Sequence, residues 1–183
     1  MAGGVTVRRA WSEVLDAMFA DLARGGPRGA ALLALGFEGR TTVDIDVLPG
    51  STFLDADLRQ ACEAAGLAWN PADKDSPPGD YLEVVPEETL VLPVPSPDGH
   101  PYNTVFRGQR LLVRTPPAAD LAIGKLKRLD PEDLADIQYL VRRFGLDPAA
   151  LREAFSRLPP RFRADPVLVD NLRYVVEDLW RVG

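Results

Sequence analysis

The sequence predicts an α+β fold, in which a mixed or antiparallel sheet carries one acidic strand and a helical region follows it. Residues 42–48 alternate strictly between polar and apolar side chains, as a half-buried strand does. Further short strand-like runs come next, and the last third of the chain has the periodicity of helices. We therefore expect an α/β core over 1–115 and a helical region over 116–183 that packs on it as one compact unit.

The composition is typical of a globular protein with one domain. Of 183 residues, 46% are hydrophobic and 26% are charged. The net charge of −6 predicts no broad basic surface for nucleic acid, and the basic residues at 125–128, 142–143 and 152–163 are interpreted as solvated helix surface. Since no signal-like or membrane-length apolar run occurs, we expect a cytoplasmic protein with no membrane partner.

The first part of the chain contains two predicted helices beside the acidic strand. A helix over residues 11–22 comes first, followed by an apolar run at 30–35 that is too short to classify. After the acidic strand, a second helix is predicted from about residue 51 to about Gly66. The single cysteine, Cys62, lies on this helix and is interpreted as a small buried apolar group.

The middle of the chain predicts loops around short strands. Residues 70–80 and 93–103 are rich in Pro, Asp, Gly and Ser, which is typical of loops. Strands are predicted at Tyr81–Val85, Thr89–Val94 and Arg110–Arg114.

The C-terminal third predicts four helices. The first runs from about Pro117 to Arg128. Each of the other three begins with an N-cap aspartate followed by proline at the first helical position, a pattern found at Asp130-Pro131, Asp147-Pro148 and Asp165-Pro166.

The acidic strand carries the main candidate functional residues, Asp44 and Asp46. Alternation places both carboxylates on one side of the strand, about 7 Å apart along the chain. Such a pair suits a hard divalent cation, and Mg²⁺ in that position assists phosphoryl or nucleotidyl transfer. A solvated strand edge with alternating acids is the competing interpretation.

Gly39–Val47 and Asp120–Ile137 are the two stretches of the chain that resemble the bacterial nucleotidyltransferase-like families, which include the AbiEii-type toxins and the DUF6036 group within the polymerase-beta-type superfamily. Gly39–Val47 is similar to their Arg-x-Thr-x-Asp-Ile-Asp-hydrophobic signature. Asp120–Leu126, followed by Arg128 and Asp130–Ile137, is similar to their Asp-Leu-x-x-x-Lys-Leu, basic residue, Asp-x-x-Asp-Ile block. The resemblance covers roughly residues 28 to 145 and implies a nucleotidyltransferase-like fold.

The resemblance also implies roles for individual residues. Asp44 and Asp46 would bind Mg²⁺ or Mn²⁺, and Lys125 would meet the phosphates of the nucleotide. Asp136 corresponds to a functionally important acid of the families, and Asp133, one turn earlier, is a weaker candidate in nucleotide binding.

Three further candidates complete the predicted site. Arg40 would brace the acidic strand or a phosphate, and Gly29 is at the distance from the strand where the superfamily has a Gly-Gly or Gly-Ser turn, although Gly29 lacks the second small polar residue. Glu83 is the preferred third metal-binding carboxylate, with Asp80 and Glu87 as alternatives.

Structural alternatives exist for the downstream residues. A solvated helix residue is an equally good interpretation of Lys125. Asp133 lies in the first turn of a helix, where a negative charge interacts favourably with the helix dipole whatever its chemical role. Asp136 is expected off the apolar stripe of its helix, which comprises Leu134, Ile137, Val141 and Phe144.

The function implied is transfer of a nucleoside monophosphate from a nucleoside triphosphate to an unknown acceptor, either RNA, protein or a small molecule. Resemblance to the toxins implies a toxin–antitoxin or defence pair with an antitoxin partner. The alternative is a catalytically degenerate member of the fold that binds a nucleotide or a protein.

Two other chemistries fit less well. An aspartate-nucleophile phosphohydrolase would use Asp44 and Asp46, but it needs a buried parallel strand, and polar residues 40–42 precede the acids. The single histidine, His100, lies in a predicted loop and leaves no material for a Ser-His-Asp triad.

Overall fold

The computed structural model describes residues 44–47, 56, 59, 62–63, 66–72, 81–86, 89–93, 102–107 and 112–177. By its contacts the chain divides into two units, one formed by 1–89 with 104–115 and the other by 90–103 with 116–183. Helices and short strands are both present, which confirms the α+β class. Several predictions concern residues outside the described ones, namely the helix at 11–22, the apolar run at 30–35, Gly29, Arg40, Asp80, Glu87 and His100.

The first unit contains the predicted acidic strand. Among its described residues, β1 (Asp44–Val47), β2 (Ala68–Trp69) and β3 (Tyr81–Val84) form a sheet in the order β1-β3-β2. The strand predicted at 42–48 is therefore confirmed over its described residues 44–47, and the one predicted at 81–85 is confirmed over 81–84, whereas β2 was not predicted. Both pairings are parallel, so a wholly antiparallel sheet, one of the two arrangements expected, is wrong. Parallel neighbours need crossover connections, and the helix before β2 lies within one of them.

That helix ends where the sequence predicts. Gly66 has a φ of +73°, its N–H donates to the Glu63 carbonyl, and the Leu67 N–H donates to the Cys62 carbonyl at 2.9 Å. These bonds form a Schellman motif, which glycine terminates without steric cost. Cys62 is buried, as predicted, and its burial raises the pKa of the thiol to about 11.

A second, two-stranded sheet is formed in the described part of this region by β4 (Asn103–Arg107) and β5 (Leu112–Thr115). The latter confirms the strand predicted at 110–114 with a two-residue shift, whereas β4 was not predicted. The strand predicted at 89–94 is wrong over its described residues, because the Thr89 N–H and hydroxyl both donate to the Pro86 carbonyl and turn the chain.

The second unit is helical from residue 118 to residue 177, a stretch described without a gap. It contains α1 (Ala118–Gly124), a 3₁₀ turn (Lys125–Lys127), α2 (Pro131–Phe144), α3 (Pro148–Ser156), α4 (Pro160–Arg163) and α5 (Pro166–Glu177). Within the described residues, no helix has both the length and the apolar character needed to cross a bilayer. The helix predicted over 117–128 is shorter than expected, because its α-helical part ends at Gly124 and the 3₁₀ turn follows. The short α4 was not predicted.

The predicted Asp-Pro helix starts are confirmed. The side chain of Asp130 accepts from the Asp133 N–H at 2.8 Å, and that of Asp147 accepts from the Ala150 N–H at 2.7 Å. Asp165 accepts from the Val167 N–H at 2.9 Å, two residues on rather than three, at the start of α5. The apolar core of this unit includes Ala122, Ile123, Leu126, Ile137, Leu140, Leu151, Ala154, Leu158, Leu168 and Val175.

Candidate functional site

The register between β1 and β3 places two predicted carboxylates next to each other. Asp46 pairs with Glu83, and Asp44 pairs with Tyr81. Neighbouring strands lie about 4.8 Å apart, and side chains at paired positions extend from the same face of a sheet. Asp46 and Glu83 therefore lie side by side on one face, where Asp46 is exposed and Glu83 partly exposed.

The rest of this face changes from buried to accessible along β3. Tyr81 and Leu82 are both buried, so the strand is covered on both faces where it begins and becomes more accessible at Glu83. Asp44 belongs to β1 two positions before Asp46, but its side chain is not among those described. Among the described side chains, no three acidic, histidine or cysteine residues lie close enough together to bind a metal ion. The set of Asp44, Asp46 and Glu83 therefore stays a prediction.

The three downstream candidates converge in the second unit. The Nζ atom of Lys125 lies 3.0 Å from Oδ2 of Asp136 and 3.3 Å from Oδ1 of Asp133. Both aspartates belong to α2, one turn apart, whereas Lys125 belongs to the 3₁₀ turn. The interpretation of Lys125 as a solvated helix residue is therefore wrong, since its side chain is 29% exposed and engaged by two carboxylates.

Arg128 adds a second cation to this cluster. Its Nε and Nη2 atoms donate to the two carboxylate oxygens of Asp133 at 2.9 and 3.0 Å, and Nε also lies 2.7 Å from Asp130. The bond to Asp133 holds the pKa of Arg128 above its ordinary value. The bond from the backbone N–H of Asp133, followed by the nearby charge of Arg128, holds the pKa of Asp130 below its ordinary value. We call Lys125, Arg128, Asp133 and Asp136 the charge cluster.

The predicted apolar stripe of α2 is confirmed at Ile137, which is fully buried, and is wrong at two other positions. Asp136 has 0% exposure, and the buried face comprises Asp133, Asp136, Ile137 and Leu140. Phe144, predicted in the apolar stripe, is 39% exposed. The charge cluster explains the burial of Asp133 and Asp136, because Lys125 and Arg128 compensate these carboxylates, which hydrophobic periodicity cannot anticipate.

Two contacts in this unit were not predicted. Asp120, buried in α1, accepts from Arg157 Nη2 at 2.6 Å and from Nη1 at 3.2 Å. This bidentate ion pair joins α1 to the end of α3. The side-chain amide of Asn171 on α5 donates to the Leu126 carbonyl at 2.7 Å. A sequence feature that could have indicated the Asp120–Arg157 pair is an aspartate inside an apolar helix pattern. The Asn171 contact has no such local feature, because 45 residues separate its partners.

No family model matches this chain, and no curated protein or solved structure matches it either. Its function is therefore inferred from the carboxylates of β1 and β3 and from the charge cluster.

Proposed function

We propose that the chain is a metal-dependent nucleotidyltransferase, which moves a nucleoside monophosphate from a nucleoside triphosphate to an acceptor hydroxyl. The observation that carries the proposal is the parallel register that sets Asp46 beside Glu83, with Asp44 two positions earlier in the same strand. Accessible carboxylates on adjacent strands are the oxygen donors that Mg²⁺ or Mn²⁺ takes from a protein.

Asp44, Asp46 and Glu83 would hold the ion, with Glu83 as the third carboxylate. When bound, the ion neutralises the phosphate oxygens and aligns the attacking and leaving groups. The acceptor oxygen then bonds to the α-phosphorus, the bond to pyrophosphate breaks, and the hydroxyl proton passes to a carboxylate of the acidic group.

The charge cluster supports a role for Lys125 at the phosphates. An ammonium group has three N–H donors, and Asp133 and Asp136 are placed to accept two of them. The side chain is 29% exposed, so the proposal that its remaining donor meets a phosphate oxygen is compatible with these two ion pairs. Two buried carboxylates thus hold the positive charge in a defined position, and Arg40 and Gly29 remain candidates for further phosphate contacts.

The acceptor class is proposed more broadly. An RNA 3′ end, a protein side chain and a small molecule all offer the hydroxyl that the reaction needs, and the net charge of −6 disfavours extensive RNA contact. Resemblance to AbiEii-type toxins suggests a toxin–antitoxin or defence pair, in which an antitoxin protein is a partner and the site of action is the cytoplasm.

A second candidate function is a nucleotide- or protein-binding module that has this fold without the reaction. The observation that favours it is that Lys125 compensates Asp133 and Asp136 inside the second unit, as a purely structural lysine also would.

Ligand binding tests the acidic site directly. We expect Mg²⁺ with one nucleoside triphosphate, at one hundred times its dissociation constant, to stabilise the protein by about 2.7 kcal/mol in thermal unfolding. Asp46→Asn and Glu83→Gln should abolish that gain. The matched control is Glu63→Gln, which changes an exposed acid of the same unit that pairs with Arg59 at 3.3 Å and should retain the gain.

Transfer of an α-phosphorus label separates the two candidate functions. Labelling of cellular RNA or protein by the wild type, lost in Asp46→Asn, supports the transferase. Stabilisation without labelling of any acceptor supports the binding module. Stabilisation that survives Asp46→Asn and Glu83→Gln unchanged would contradict the acidic site itself.

A further inference from the structure

The segment that carries Lys125 leaves α-helical geometry at that residue. The α1 helix ends at Gly124, and Lys125–Lys127 form the 3₁₀ turn. Within the turn Leu126 is buried in the core, Lys125 is partly buried and Lys127 is exposed. The geometry of three residues therefore determines which lysine reaches the aspartates of α2.

The end of a helix leaves carbonyl groups without their usual partners. In a continuous α-helix the Leu126 carbonyl would accept from the N–H of residue 130, but Asp130 is instead the extended N-cap of α2. The Asn171 amide donates to this carbonyl at 2.7 Å from α5. A side chain 45 residues away thus completes the hydrogen bonding of the turn at the residue that follows Lys125.

The short connection between the turn and α2 is under backbone strain. Leu129 has a φ of +48°, in the left-handed region that non-glycine residues rarely adopt. Such a residue persists where its surroundings fix the chain on both sides. Here the Arg128 contacts to Asp130 and Asp133 fix one side, and the Asn171 bond fixes the other.

We propose that Asn171 is a positioning residue for Lys125. By fixing the carbonyl of Leu126, its amide orients the turn so that the Lys125 ammonium reaches Asp133 and Asp136 together. The consequence for nucleotide binding rests on the proposed function, whereas the positioning itself does not.

The rate of lysine acylation measures how well Lys125 is held in place, and no nucleotide is needed. The chain has three lysines, Lys74, Lys125 and Lys127, so mass spectrometry of a chain treated with an N-hydroxysuccinimide ester resolves each rate. Lys127 is exposed and two residues from Lys125, which makes it an internal reference on the same turn. When opening is fast, the rate at Lys125 follows the population of the open turn.

Asn171→Leu removes the donor and keeps a side chain that branches at Cγ. We expect the Lys125 rate, relative to that of Lys127, to rise about fivefold, the population change that loss of one net hydrogen bond produces. Asn171→Gln keeps an amide donor and should restore most of the protection. Asp170→Asn changes the preceding residue of α5, which pairs with Arg173 on the exposed side, and should leave the ratio unchanged.

An unchanged ratio in Asn171→Leu would overturn the proposal, as would an equal rise at both lysines or a failure of Asn171→Gln to restore protection. If the leucine variant does not fold, the isosteric Asn171→Asp takes its place with a rise of at least the same size expected, because it lacks the donor and its carboxylate repels the Leu126 carbonyl. Binding of Mg²⁺ with ATP, GTP, CTP or UTP is measured in parallel. Weaker binding in the folded variant supports both proposals, whereas a wild type that binds none contradicts the proposed function and leaves the acylation result valid.

Discussion

The carboxylate of Asp136 shows how one residue depends on another in the second unit. It has 0% exposure and lies 3.0 Å from the Lys125 ammonium. A buried charge loses its hydration, and a partner charge must compensate that loss if the group is to remain ionised. Lys125 therefore has a structural task whether or not it also contacts a phosphate.

Lys125→Met should destabilise the protein by about 3 kcal/mol, because removal of one member of a buried ion pair leaves the other uncompensated. Urea unfolding measures this change. The control is Lys127→Met on the exposed side of the same turn, for which we expect a change within about 0.5 kcal/mol. Equal effects of the two substitutions would contradict the structural role.

Cys62 gives a pH dependence at the same scale. Burial, reinforced by the charge of Glu63, raises the pKa of its thiol from 9.0 to about 11. The unfolded chain therefore releases this proton first, so stability is unaffected well below pH 9 and falls as the pH rises towards 11. The loss should reach about 2 kcal/mol near pH 11 and should be measured as the difference in urea midpoint between pH 8 and pH 10.5.

Cys62→Ala isolates this effect from the other groups that titrate in alkali. The variant should be less stable at every pH, but its stability should fall less between pH 8 and pH 10.5 than that of the wild type. Parallel pH profiles for the two proteins would show that the thiol does not contribute.

At the scale of elements, the helix starts are determined by local chemistry. Asp147 has an extended backbone conformation and accepts from the Ala150 N–H at 2.7 Å, while Pro148 begins α3. The N-cap oxygen replaces a hydrogen bond that no helical carbonyl can supply. For this reason the three Asp-Pro starts could be predicted from the sequence.

Asp147→Ala should destabilise the protein by about 1 kcal/mol through loss of this cap, as measured by urea unfolding. Asp147→Asn retains an acceptor oxygen and should remain within a few tenths of a kcal/mol of the wild type. If the alanine and asparagine variants were equally stable, the cap would contribute nothing.

The charge of the whole molecule is distributed unevenly along the sequence. Residues 1–115 contain ten basic and sixteen acidic side chains, whereas residues 116–183 contain eleven of each. The entire net charge of −6 therefore belongs to the part that carries the acidic strand. The divalent cation of the proposed function would relieve part of this excess.

Patterns of short range allowed most of the successful predictions. The alternation at 42–48, the glycine at residue 66 and the Asp-Pro pairs predicted elements that the structure confirms. The two-residue β2 was missed because it is too short to show periodicity, and β4 was missed because it begins at the end of the Pro-rich run at 93–103 that was interpreted as a loop. The run at 89–93 misled because Val91 and Pro93 are buried without belonging to a strand.

The candidate site was predictable in its residue types and less so in its contacts. Asp46 and Glu83 were singled out separately, and their adjacency came from a strand register that the sequence does not specify. Lys125, Asp133 and Asp136 were named through resemblance, but their mutual ion pairs depend on the 3₁₀ turn. Asn171 and Arg157 could not be found, because each meets a partner more than thirty residues away.

The charge cluster also has a consequence for protein engineering. Asp133, Asp136 and the partly buried Lys125 occupy interior volume that leucine or methionine would fill, whereas Arg128 is exposed, and replacing buried ion pairs by well-packed apolar residues is often neutral or stabilising. Thermostabilisation of the helical unit would therefore begin by redesigning all four side chains together. The redesigned interior would be more stable, but it would define a single arrangement of the helices less strictly than the ion pairs do.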